Sequence, residues 1–267
     1  MYWFALRPKW LLFHLLVVVL VVVMVNLGIW QLHRLQDRRA FNDDVRTRSS
    51  MPVVGFDDLI TSQIDSTDDA DPIEWRPVRV DGTYLADEQV VIINRAQGGV
   101  VGKNVVTPLQ TADGELVLVN RGFVAETDAV PPPPQGAVSI TGRIRATERR
   151  GFGGLTDPAD GELTELHRLD IARLAEQLPA PVAPVSVELL TSDPSLPTDP
   201  APLPAPVLDQ GPHLSYMVQW FIFSACAIVG WVLAMRRSAR RQVTAAAARG
   251  PSDSPTEPAD EPTTATH

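Results

Sequence analysis

Two uninterrupted apolar runs bracket a long stretch in which apolar and polar residues alternate. Trp10 to Trp30 reads WLLFHLLVVVLVVVMVNLGIW, without Asp, Glu, Lys or Arg. A helix rising about 1.5 Å per residue covers roughly 30 Å of hydrocarbon over such a run. Leu214 to Met235, LSYMVQWFIFSACAIVGWVLAM, is also free of formal charge and long enough to cross. A cleaved signal peptide competes for the first run, but the apolar core is too long and no small-x-small site follows before Gln31. The pattern predicts transmembrane helices over 10–30 and 214–235.

Between the runs the period becomes two. Arg76 to Tyr84 alternates apolar and polar residues, and Gln89 to Asn94, Asn104 to Leu109, Glu115 to Asn120, Val138 to Ala146 and Val185 to Leu190 are further short β-branched runs. Asp81-Gly82, Gln97-Gly98-Gly99, Asp113-Gly114 and Pro131 to Gly136 punctuate them as turns of an antiparallel meander. Asp113-Gly114 is the clearest hairpin. One helix is expected where Asp170 caps IARLAEQL before Pro179. The expected fold is an α+β membrane protein: two transmembrane helices flank one mostly antiparallel β barrel or sandwich over 31–192, with one short helix.

Composition adds two segments. Residues 193–212 hold seven prolines and few large apolar side chains, which predicts an extended tether back to the membrane. Residues 236–267, rich in Ala, Pro, Ser, Thr and acids, are expected to be a disordered tail.

Charge decides orientation and removes one class of partner. Arg236, Arg237, Arg240 and Arg241 follow the second run, and Arg7 and Lys9 lie in the segment 1–9 before the first. The positive-inside rule therefore puts both termini in the cytoplasm and the central domain outside it. Arg34, Arg38 and Arg39 pull the other way, but Asp37 is interleaved with them and long domains translocate largely regardless of charge. From Gln31 to His213 there are 28 acidic and 16 basic residues, a formal charge of −12, which argues against nucleic acid as a partner. The single cysteine, Cys226, lies in the second run, so the central domain has neither disulfide nor thiolate metal site.

Candidate chemistry is sparse. A nucleophile elbow, a P-loop, a dinucleotide-binding glycine pattern and an HExxH motif are all missing, so no enzymatic activity is expected. Asp65, Asp68, Asp69 and Asp71 lack the glycine and terminal glutamate of a calcium loop and read as a solvated linker. Among the histidines, His33 and His267 have no suggestive company, while His14 and His167 read as structural. His213 stands at the outer mouth of the second run with Tyr216 and Trp220 three and seven residues on. An imidazole beside an aromatic wall suits a flat macrocycle, and an interfacial histidine in an aromatic belt is the plainer reading. Asn26 and Gln219 lie at similar depth and are expected to pair the helices, with Cys226, Gly230 and Ala234 as a close-packing face for the first run or for a larger complex.

The order LGIWQLHRL, EWRPVRVDGTY, VVTPL, VLVNRGFV and HLSYMVQWF, from the first run to the second, resembles the Surfeit locus protein family. That resemblance implies a bacterial plasma-membrane factor that assists haem a entry into the catalytic subunit of an aa3-type cytochrome c oxidase. The cofactor implied is transient haem a, and the partners are oxidase subunits and the lipid bilayer. His213 matches the family's haem-ligating histidine, so the resemblance turns the reading of that residue toward haem iron. Tyr216, Trp220, Arg76 and Arg121 are further implied contacts, the two arginines for a haem propionate. Phe123 in place of tryptophan, and Gly211-Pro212 before the histidine, depart from the family pattern. A stable accessory subunit of the oxidase and an unrelated membrane-tethered binding domain are the alternatives.

Overall fold

The computed structural model describes residues 3–60, 64, 66–67, 70–151 and 153–247. Asp65, Asp68, Asp69, His267 and the end of the expected tail lie outside these residues. The chain forms two compact units, Met1–Arg39 with Gln210–His267, and Ala40–Asp209.

In the first unit two helices pair. Helix α1 spans Pro8–Ser49, 42 residues, and α4 spans His213–Ala247, 35 residues. Both run well beyond the apolar stretches that predicted them. Past Trp30, α1 is carried by ion pairs one turn apart, Arg34 with Asp37 at 3.9 Å, Arg46 with Asp43 at 3.4 Å and Arg48 with Asp44 at 3.1 Å. Past Met235, α4 continues through Ala and Arg, both strong helix formers, so a disordered tail does not begin at 236. Both helices are long and apolar enough to cross a bilayer, and most of their apolar side chains are exposed.

The helices meet along a seam with the alternating four-three spacing of a heptad. His14, Val17, Val21, Met24, Gly28, Gln31 and Leu35 form the less exposed stripe of α1, and His213, Met217, Trp220, Ser224, Ala227 and Trp231 that of α4. At Gly28 a Cβ would sit 3.1–3.3 Å from the Phe221 ring, so the missing side chain permits the close approach. This seam runs along residues other than most of those suggested by spacing. Asn26 bonds its own helix, Nδ2 to the Val22 carbonyl at 2.7 Å. Gln219, Cys226 and Gly230 are exposed, and a Cβ on Gly230 would meet open space. Only Ala234 comes near α1, in a hollow it shares with Lys9, Trp10 and Phe13. A repeat of four fits several stripes of one helix, and the bulkier residues at heptad spacing chose another.

The second unit is an eight-stranded mixed sheet. Its strands are β1 Val54–Gly55, β2 Pro77–Tyr84, β3 Val90–Gln97, β4 Val100–Gln110, β5 Leu116–Ala125, β6 Ala137–Arg145, β7 Glu165–Leu166 and β8 Val182–Asp193. The order is β1-β2-β6-β8-β5-β4-β3-β7, and β2 also pairs with β4 through Thr83 with Gln110 and Tyr84 with Leu109. Strands β3, β4 and β5 make the expected meander. Its turns are Gly98 and Gly99, at φ +59 and +83, and Gly114 at φ +84. The sheet is less antiparallel than expected, because β8 inserts between β6 and β5 and runs parallel to β5, and β1 and β7 also add parallel pairs. Asp81-Gly82 is no turn. It lies inside β2, where a Cβ on Gly82 would strike the Gln110 carbonyl of β4.

Two apolar clusters fill the domain. Val78, Val80, Leu109, Val119, Ile140, Ile144 and Val187 belong to one, beneath the short helix α2, Phe56–Leu59. Ile92, Val106, Leu118 and Leu166 belong to the other, covered by α3, Ile171–Ala175. Helix α3 is the one foreseen, and the Asp170 carboxylate accepts from the Arg173 N–H at 3.2 Å as its N-cap.

The proline-rich segment is more than a tether. Ala201 bridges Phe123 of β5 through backbone bonds of 2.7 and 2.9 Å. Gln97 donates to the Pro202 carbonyl at 3.1 Å and Arg143 to that of Pro204 at 3.0 Å. Gly122, at φ +133, would drive a Cβ into the Ala201 carbonyl, so glycine is what lets the segment lie against β5.

Candidate functional site

The mouth of α4 is shaped by Gly211 and Pro212. Gly211 takes φ +63, a region a side chain disfavours, and a Cβ there would lie 3.2 Å from Cδ2 and Nε2 of His213. Pro212 fixes the first turn, its carbonyl accepting from the Tyr216 N–H at 3.2 Å and the Ser215 hydroxyl at 3.0 Å. His213 follows, half-buried at the seam, with Nδ1 2.9 Å from Oε1 of Gln31 in α1. Its Nε2 has no hydrogen-bond partner among the described residues. Arg39 reaches Gln210 Oε1 from Nε and Nη2, both at 3.3 Å, beside the same turn.

The aromatic neighbours divide. Trp220 lies on the seam two turns from His213, its ring edge-on to Phe223 at 6.0 Å between centroids. Tyr216 is 48% exposed. Among the described residues no group of three or more His, Cys, Asp and Glu is arranged to hold a metal ion.

The other end of the seam holds His14. Trp231 Nε1 donates to His14 Nδ1 at 2.8 Å, and the rings meet edge-on at 5.8 Å. His33 is exposed on α1. His167, just after β7, accepts a structural role. Its backbone N–H donates to Asp157 Oδ1 at 2.9 Å and its Nδ1 lies 2.7 Å from the same oxygen. Burial alone would raise the Asp157 pKa, but these bonds, with the charges of His167 and Arg168, hold it below the ordinary aspartate value.

In the second unit the two arginines have separate fates. Arg121 of β5 is 1% exposed and donates to Gln89 Oε1 at 3.0 Å, to the Pro131 and Pro132 carbonyls at 3.0 and 3.1 Å, and to Asp199 at 3.1 Å. The guanidinium also lies 5.7 Å from the Tyr84 ring. Burial pushes the Tyr84 phenol far above its ordinary range; the Arg121 charge opposes this and that of Asp199 adds to it. Arg121 is thus engaged by partners inside the domain. Arg76 is half-buried just before β2, with Nε buried and unpartnered among the described residues.

Sequence reasoning did not anticipate the cluster around Trp75. That residue is buried at φ +74 beneath Arg145 and Arg143, 3.7 and 5.6 Å from its centroid, with Phe41 edge-on at 6.0 Å. Arg143 pairs with Glu188, and Arg145 pairs with Glu74 at 3.2 Å. EWRP, read as the opening of a family motif that leads into a strand, gave no sign of it. Gln31 was missed as well, since only the folded seam sets it against His213.

A profile of the SURF1 family matches residues 18–225. An uncharacterised SURF1-like protein of Mycobacterium bovis is 30% identical over 233 residues, covering 85% of this chain and 83% of that one. A SURF1-like protein of Monosiga brevicollis is 28% identical over 239 residues, 82% and 86% of the two chains. One of Drosophila melanogaster is 28% identical over 225 residues, 77% and 72%.

Proposed function

Because the chain belongs to the SURF1 family, known generally as cytochrome oxidase assembly factors, we propose that it helps deliver haem a to the catalytic subunit of an aa3-type oxidase. It does so as a non-catalytic membrane protein of the bacterial plasma membrane, crossing twice with both termini in the cytoplasm. The sheet, closed by the β2–β4 pairing, acts as a small barrel on the outer side.

The observation that carries the haem reading is His213 at the external mouth of α4, with Nδ1 held by Gln31 and Nε2 unpartnered among the described residues. A single half-buried imidazole with one nitrogen oriented and the other open would suit haem iron as a nitrogen donor. When bound, haem supplies an iron that accepts such a nitrogen, and Trp220 offers an aromatic face two turns away. The chain's own part is to hold the imidazole at a fixed place on a helix pair, so that the group is kept in register with the bilayer until a subunit takes it. Arg76, with its buried Nε unpartnered among the described residues, is the remaining cation for an anionic partner.

Titration of the full chain in detergent with iron protoporphyrin IX tests this. The Soret band should shift on binding, and His213→Ala should weaken uptake at least ten-fold. An unchanged spectrum and affinity in that variant would remove His213 as the ligand.

A further inference from the structure

The two histidines of the helix seam are engaged by opposite kinds of partner. The Gln31 amide oxygen faces Nδ1 of His213 at 2.9 Å, and an amide oxygen can only accept. With the amide oriented in this way Nδ1 bears the proton, and neutral His213 keeps its lone pair on Nε2. At His14 the partner is the Trp231 indole N–H, 2.8 Å away, and an indole can only donate. Nδ1 of His14 must then hold the lone pair, leaving the proton on Nε2. One imidazole thus offers a free donor atom, while the other has its lone pair occupied and a hydrogen on its second nitrogen.

The open edge of His213 has its own provision. A Cβ on Gly211 would sit 3.2 Å from Nε2 and Cδ2, so the glycine leaves that edge uncrowded. With His213 taken as the haem ligand proposed above, we infer that Gln31 is a positioning residue that fixes His213 in its Nδ1–H tautomer and aims Nε2, past the bare Cα of Gly211, at the haem iron. Gln31 comes from α1 and His213 from α4, so the ligand is prepared only when the two helices are paired. The resulting hydrogen bond also strengthens the imidazole as a donor, the usual effect of an acceptor behind a ligating histidine. His14, set in the opposite tautomer, has its lone pair taken up by the Trp231 indole.

The test reads the tautomers without haem. Nitrogen-15 NMR of the full chain in detergent, labelled at histidine and assigned with His213→Ala and His14→Ala, should show His213 protonated on Nδ1 and His14 on Nε2. Gln31→Leu should convert His213 to a mixture and leave His14 unchanged, whereas Gln31→Glu, which keeps an acceptor, should preserve the wild-type pattern. Titration with iron protoporphyrin IX should then give a Kd about ten-fold higher for Gln31→Leu and within about two-fold of wild type for Gln31→Glu. The Fe–His stretching band in resonance Raman should fall in the Leu variant alone. His213 protonated on Nε2 in the wild type, or a Leu variant with unaltered tautomer and affinity, overturns the role of Gln31. A wild-type chain that takes up no haem overturns instead the ligand role of His213 and the purpose assigned to Gln31 with it.

Discussion

Arg121 is the largest side chain wholly enclosed in the described chain, and its four acceptors come from separate turn and loop positions far from it in sequence. From the sequence it read as a charge free to reach outward, because nothing in VLVNRGFV shows that Gln89, Pro131, Pro132 and Asp199 converge on it. Removing it takes the guanidinium from the half-buried Asp199 and Gln89, which keep only the Leu196 N–H and the Thr107 hydroxyl as donors. Arg121→Met should destabilise the domain by about 3–5 kcal/mol in urea unfolding of the full chain. Loss below about 1 kcal/mol would show that the cluster is not structural. Asp157 gives a pH-dependent counterpart. Its folded pKa lies below the unfolded value, so its stabilisation is full above the ordinary carboxylate range and drains away as pH falls through the folded value. Wild type should therefore exceed Asp157→Asn in stability near neutrality, and the gap should close in acid. A gap constant from neutral pH down to acid would contradict the His167–Asp157 account.

Elements were more legible than contacts. Six strands and the Asp170-capped helix stand where period two, turn glycines and a capping carboxylate put them, because those signals are local. Strand β7 and the insertion of β8 beside β5 were not readable, since two-residue pairings and long-range order leave no local period. Helix lengths were underestimated for a different reason: hydropathy marks where a helix can meet lipid, while ion pairs and alanine carry it onward through water. The hairpin between β3 and β4 bears exposed Val101, 63% accessible, and its tip offers a test of which side the sheet faces. In Val101→Cys, a membrane-impermeant thiol reagent should label intact cells, while Cys226, inside the second span, stays silent. Labelling only after lysis would reverse the orientation.

At the scale of the whole molecule, a pair of helices long and apolar enough to cross a membrane carries His213 on its seam, and the proline-rich segment is fastened to the surface of the acidic sheet domain. The family is one known generally as cytochrome oxidase assembly factors, and the proposed role is to hand over a group. The most direct measurement is the reduced-minus-oxidised absorption of membranes from cells lacking this protein. The a-type haem band should fall sharply and return with the wild-type chain but not with His213→Ala. Membranes of the deletion strain with a full a-type band would contradict the account.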